Sequence, residues 1–120
     1  KLINKHSIGI EISNPGHNNN YKKFTKKQIS SIKKLSQFLI KKYKIKSTFV
    51  LGHSDIAPDR KIDPGEKFPW KYLAKYKIGY WHNLKQNYFL KKRNINIDEK
   101  NKLRFFQNLT MIGYKKKYKF

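Results

Sequence analysis

Thr48-Phe49-Val50-Leu51-Gly52-His53-Ser54-Asp55-Ile56-Ala57-Pro58-Asp59-Arg60-Lys61-Ile62-Asp63-Pro64-Gly65 runs from an apolar segment into a polar loop. Its first four residues are β-branched, aromatic and apolar, the composition of a short buried strand. The loop then sets His53 and Asp63 ten positions apart, with Lys61 two residues before the Asp. Pro58 and Pro64-Gly65 stiffen it. A neutral imidazole and a carboxylate are a common pair around catalytic zinc, which usually takes three protein ligands and leaves a fourth position for water. Two donors alone make a weak site, so the sequence asks for a third.

Upstream lies a well-signalled helix. Thr25 is a good N-cap, and Gln28 at the third helical position completes a capping box. Phe24 before the cap and Ile29 after it form a hydrophobic staple. Ile29, Ile32, Leu35, Phe38 and Leu39 recur at helical spacing and predict one apolar stripe, with an end near Tyr43. Further upstream, residues 7–13 alternate Ile8, Ile10 and Ile12 with Ser7, Gly9, Glu11 and Ser13, which predicts a strand with one buried face. On that pattern Glu11 lies opposite the isoleucines as a solvated residue. Asn14-Pro15-Gly16-His17-Asn18-Asn19-Asn20 reads as a turn-rich loop. Strand, helix and strand predict a βαβ-like unit in a mixed or parallel sheet. His53 would then sit past the carboxyl end of the second strand, where open α/β sheets place their sites.

Downstream, Phe68-Pro69-Trp70 opens a short amphipathic helix through Tyr76, with Trp70, Leu73 and Ala74 on one face. Gly79-Tyr80-Trp81 breaks it. Residues 98–109 predict a further helix with Leu103, Phe106 and Leu109 on one face and a stop at Gly113. The expected organisation is a domain over 1–82 and the start of a small helical module over 83–120.

The net charge is +22, with 29 Lys and Arg against 7 Asp and Glu. Such a charge attracts any polyanion. Only Arg60, Arg93 and Arg104 are arginines, and specific nucleic-acid recognition favours the bidentate guanidinium. The lysines are spread along the chain among Asn and Ile, as solvated faces are. There is no cysteine, hence no disulfide and no thiolate ligand. No segment approaches the ~20 apolar residues of a membrane span. The chain opens at Lys1 with a strand already under way at Ser7, from which further residues upstream are expected.

By residue type the candidate site residues are His53, Asp63, Lys61 and Glu11, together with His6, His17 and His82. Ser7-Ile8-Gly9-Ile10-Glu11-Ile12, the helix from Phe24-Thr25 to Tyr43, Gly52-His53-Ser54-Asp55-Ile56-Ala57-Pro58, Arg60-Lys61, Asp63-Pro64-Gly65 and Phe68-Pro69-Trp70 closely resemble the zinc-dependent N-acetylmuramoyl-L-alanine amidases, the type 2 amidases of the AmpD/AmiD group. The resemblance covers roughly residues 5–82. The tail, with Ile78-Gly79-Tyr80-Trp81 and Asn87-Tyr88-Phe89-Leu90, looks like the linker and first helices of a peptidoglycan-binding-type module, as in the AmiD-like branch.

The resemblance implies an α/β fold, a central mixed β-sheet flanked by helices, here incomplete at its N-terminal side. It implies hydrolysis of the amide between N-acetylmuramic acid and L-alanine in peptidoglycan or muropeptides, with Zn2+ as cofactor. It makes His53 and Asp63 zinc ligands, Glu11 the catalytic glutamate and Lys61 the catalytic lysine. Arg60 would orient the loop, meet a substrate carboxylate or be solvated. The family's first zinc ligand is a histidine on an early strand upstream of the Ser7–Glu11 run. His6 has the parity of Ile8 and Ile10 and points away from Glu11. His17 lies in a loop and His82 in the linker.

The resemblance thus implies an amidase that requires an N-terminal half, supplied in the same chain or separately. It also places the protein at the bacterial cell envelope, periplasmic or associated with the outer membrane, with a cytoplasmic recycling role as the alternative. A non-catalytic remnant or cell-wall-binding protein is the second reading, and a basic nucleic-acid-binding protein the third. The third predicts polyanion affinity that falls steeply with salt and does not change in His53→Ala. Binding of muropeptides that persists at high salt, measured by calorimetry, excludes it.

Overall fold

The computed structural model describes residues 5–111 and 114. Among these residues the chain forms α1 (Lys26–Tyr43), α2 (His53–Ile56), α3 (Trp70–Ala74), α4 (Gln86–Arg93) and α5 (Glu99–Met111). No β-strand occurs among them. The expected α/β fold with a central mixed sheet is corrected to an all-helical arrangement.

The physical reason is backbone pairing. A strand persists only where a neighbour takes up its N–H and C=O groups. Residues 7–13 form neither helix nor strand. Ile8 is 51% and Ile10 39% exposed, and of the three isoleucines Ile12 alone packs on the core. The second expected strand curls instead into a 3-10 turn, Ser47–Phe49. There the Phe49 N–H donates to the Lys46 carbonyl at 2.9 Å and the Val50 N–H to the Ser47 carbonyl at 3.1 Å. These local bonds take up groups that a ladder would otherwise have used.

Helix α1 forms as its caps dictate. The Gln28 N–H donates to Thr25 Oγ1 at 3.1 Å, and the Thr25 N–H donates to Gln28 Oε1 at 2.8 Å. Gln28 Nε2 also donates to the Ser13 carbonyl at 2.6 Å, tying the end of the extended run to the helix. Phe24 and Ile29, the staple pair, both pack on the core. The helix closes after Tyr43 on Lys44, which is left-handed at φ 53°. Its buried face is rotated from the expected stripe: Ile29, Ile32 and Ile40 pack inward and Ser36 is buried, while Leu35 and Phe38 are exposed.

The core is small. Phe68, Leu73 and Ile78 are buried, and Ile12, Phe24, Ile29, Ile32, Ile40, Val50 and Trp70 pack against them. Pro69 caps α3, so its missing N–H costs nothing there. The chain leaves α3 through Lys77 and Gly79, both at positive φ. A Cβ on Gly79 would lie 2.8 Å from the Trp70 ring, so only glycine fits beneath it. In α5, Asp98 accepts from the Asn101 N–H at 2.7 Å and starts the helix. The expected stop at Gly113 lies outside the described residues. Neither α4 nor α5 buries a residue. No helix among the described residues is long and apolar enough to cross a membrane.

Leu73 is completely buried and Leu35 is 43% exposed. Leu73→Ala should cost about 2–5 kcal/mol in urea denaturation. Leu35→Ala should cost less, about 1 kcal/mol, because only part of that side chain is covered.

Candidate metal site

The site begins where the Val50-Leu51 segment turns into α2. Gly52 is buried, and a Cβ there would meet Pro64 Cδ at 2.8 Å. Glycine is what lets the two ends of the loop touch. The Gly52 N–H donates to Asp55 Oδ2 at 2.7 Å, which anchors the first turn of α2. After α2 the Arg60 and Lys61 N–H groups both donate to the Ala57 carbonyl, at 3.1 and 2.9 Å. The loop then returns, and the Ser54 N–H donates to the Asp63 carbonyl at 2.9 Å.

That return brings the two predicted ligands together. His53 Nδ1 donates to Asp63 Oδ2 at 3.1 Å. The side chains are 44% and 59% exposed, so the pair faces solvent. Two donors each ~2.0–2.1 Å from one tetrahedral zinc ion lie about 3.3 Å apart. Imidazole nitrogen, carboxylate oxygen and their spacing therefore fit the ion, which would replace the shared proton. The fit is that of a half-site. Among the described residues, no group of three His, Cys, Asp or Glu side chains could hold a metal.

The remaining candidates lie elsewhere. Glu11 is exposed on the extended run, and Lys61 is half-buried on the loop; neither hydrogen-bonds to the His53–Asp63 pair. Arg60 and His6 are exposed. His82 contacts the rings of Trp81 and Phe89, each with its centroid 5.0 Å away. His17 donates from Nε2 to Glu66 Oε2 at 2.9 Å and stacks on Tyr21 with centroids 4.2 Å apart. It is engaged beside the site rather than in it.

Tyr21, Glu66 and Lys67 form a cluster that the sequence did not announce. The Tyr21 hydroxyl donates to the Pro64 carbonyl at 2.6 Å and accepts from the Lys67 N–H at 3.1 Å. The Lys67 ammonium donates to the Tyr21 carbonyl and lies 4.7 Å from its ring centroid. Burial raises the Tyr21 hydroxyl above its ordinary pKa, against the Lys67 N–H, so it stays a donor. The turn at Asp63-Pro64-Gly65 was a visible signal; its partner Tyr21, more than forty residues away, was not.

With the geometry in hand, the chain can be placed: it belongs to the N-acetylmuramoyl-L-alanine amidase family (Amidase_2), which its residues 1–66 match. This is a family of amide-bond hydrolases, typically zinc-dependent. All four of Glu11, His53, Lys61 and Asp63 fall within the matched span.

Among characterised proteins, the chain is similar to N-acetylmuramoyl-L-alanine amidase AmiD of Escherichia coli K12. Identity is 39% over 94 residues, covering 73% of this chain and 34% of that protein. It is also similar to 1,6-anhydro-N-acetylmuramyl-L-alanine amidase AmpD of Haemophilus influenzae, 41% identical over 76 residues, covering 62% and 39%. AmpD of Enterobacter cloacae is 39% identical over 67 residues, covering 56% and 34%. The chain thus spans only a little over a third of the length of these relatives. No solved structure matches it.

The hydrogen bond from His17, first, and the Glu66 backbone N–H hold the Glu66 carboxyl below its ordinary pKa. A depressed carboxyl adds stability above its unfolded value and loses it as pH falls through the folded one. Here solvent screens the effect. His17→Ala should move Glu66 back up toward the ordinary value, read by carbon NMR of the side-chain carboxyl across a pH titration.

Proposed function

We propose that this chain carries the metal-binding and catalytic loop of a zinc-dependent amidase acting on the amide between N-acetylmuramic acid and L-alanine in peptidoglycan or muropeptides. The observation that carries the reading is the 3.1 Å approach of His53 Nδ1 to Asp63 Oδ2 within the matched span. His53 and Asp63 are two of the three ligands. The third, with the walls of the substrate groove, comes from polypeptide beyond these 120 residues. Bound zinc supplies an acidified water and a Lewis acid for the scissile carbonyl. Glu11 accepts the proton of the attacking water and delivers it to the leaving L-alanine nitrogen. Lys61 sets a fixed positive charge beside the carbonyl oxygen as negative charge develops on it. Residues 83–120 form the start of an accessory cell-wall-binding module. The longer similarity to AmiD than to either AmpD favours work at the cell envelope over cytoplasmic recycling.

A second reading, a non-catalytic cell-wall-binding protein, is favoured by the missing third donor among the described residues. One experiment separates the two. The chain is dialysed against a moderate chelator, alone and with the N-terminal half of a related amidase, and zinc and muramoyl-peptide hydrolysis are measured. The amidase reading expects little retained zinc alone. With the added half it expects one zinc per complex and hydrolysis, both lost in His53→Ala. Glu11→Gln should keep the zinc and lower the rate by about 10²–10⁴-fold. Because metal displaces the proton between His53 and Asp63, zinc retention should weaken as pH falls. Muropeptide binding without hydrolysis in every mixture, unchanged in His53→Ala, supports the second reading instead.

A further inference from the structure

The residues after Asp63 make a turn that does not close on itself. In an ordinary four-residue turn 64–67, the Lys67 N–H would donate directly to the Pro64 carbonyl. Here the Tyr21 hydroxyl stands between them, donating to the carbonyl at 2.6 Å and accepting from the N–H at 3.1 Å. Tyr21 is 8% exposed, so this bridge is sheltered from water.

The rest of segment 17–21 grips the same turn. His17 takes the Glu66 carboxylate at 2.9 Å, and the Lys67 ammonium reaches the Tyr21 carbonyl. Gly65, at φ 78°, leaves the space they need: a Cβ there would come 2.6 Å from His17 Cε1 and 2.8 Å from the Tyr21 oxygen. No side chain larger than glycine's hydrogen fits that approach.

The chain on the C-terminal side of Asp63 is thereby held. The Asp63 carbonyl is held by the Ser54 N–H, next to His53 on α2. The carbonyl of the residue that follows is held by Tyr21. With the 63–64 and 64–65 peptide units held, the chain that leaves Asp63 is fixed next to the α2 turn that carries His53.

We propose that Tyr21 is a positioning residue, acting through the turn 64–67 to hold the Asp63 carboxylate against His53. The inference rests on His53 and Asp63 being the functional pair. Tyr21 would orient a metal ligand without touching the metal, and loss of such support commonly changes metal affinity about 10–100-fold.

The test uses the whole chain as wild type, Tyr21→Phe and, as a stability control away from the turn, Ile32→Val. Tyr21→Phe keeps the ring that stacks on His17 and removes only the bridge. Amide hydrogen exchange by NMR reads Ser54 and Lys67, the donors to Asp63 and to Tyr21. Both should exchange severalfold faster in Tyr21→Phe, and neither should do so in Ile32→Val at comparable melting temperature. Gly65→Ala, which disturbs the same bridge with Tyr21 intact, should reproduce the Tyr21→Phe pattern. With the N-terminal half of a related amidase added, zinc competition against a chromophoric chelator should show affinity falling about tenfold in Tyr21→Phe. Ser54 exchange in Tyr21→Phe equal to wild type, or accelerated equally in Ile32→Val, overturns the proposal. If no variant, wild type included, takes zinc even with that half present while Ser54 still loses protection in Tyr21→Phe alone, the positioning role stands and the metal reading of the pair falls.

Discussion

The structure depends on the packing of Phe68, Leu73 and Ile78 beneath α1. Without a strand ladder among the described residues, this cluster is what joins segments distant in sequence. It is also what connects the core to the site. An aromatic series runs outward from it, from Trp70 to Phe68 at 4.8 Å, to Phe24 at 5.2 Å and to Tyr21 at 6.3 Å, ending on His17. Trp70 also sits against two glycines. A Cβ on Gly79 or on Gly52 would fall 2.8 or 3.4 Å from its ring. One of those glycines releases the chain from α3, and the other caps the turn that carries His53. Loosening the core would therefore disturb both halves of the candidate metal pair.

What was legible in the sequence is what local chemistry decides. The Thr25–Gln28 capping box fixes the start of α1 within four residues, and it forms as read. The Pro and Gly residues around His53 and Asp63 announce a loop that folds back, and the pair meets. What was not legible depends on partners. Alternation over residues 7–13 specifies which side chains would share a face, but says nothing about whether another backbone lies alongside. The same gap shows in α1: spacing marks an apolar stripe, but the helix turns Ser36 inward and leaves Leu35 and Phe38 outside. The Tyr21 bridge escaped because no spacing rule links a tyrosine before a helix to a turn more than forty residues on.

Charge placement separates function from background. Asp55, Asp59, Asp63 and Glu66 are four of only seven acidic residues, all within one short loop region. Asp55 caps the Gly52 N–H, Asp63 receives His53 and Glu66 receives His17. In a chain with 29 basic residues, such concentration is not what a solvated surface needs. It is what a loop needs when its cations and donors must be held in place. The lysines, by contrast, are distributed along the whole chain, and their joint effect is a general positive field around that loop.

Glu11 ties the open fold to the open site. A general base contributes only when it is held within hydrogen-bond reach of the proton it takes. Glu11 sits on an extended run whose backbone has no strand neighbour among the described residues and whose isoleucines at 8 and 10 are exposed. The reach of Glu11 to the His53–Asp63 pair therefore depends on where that run is held. On the amidase reading, Glu11 and a third donor must both be brought to the His53–Asp63 pair before the site can act.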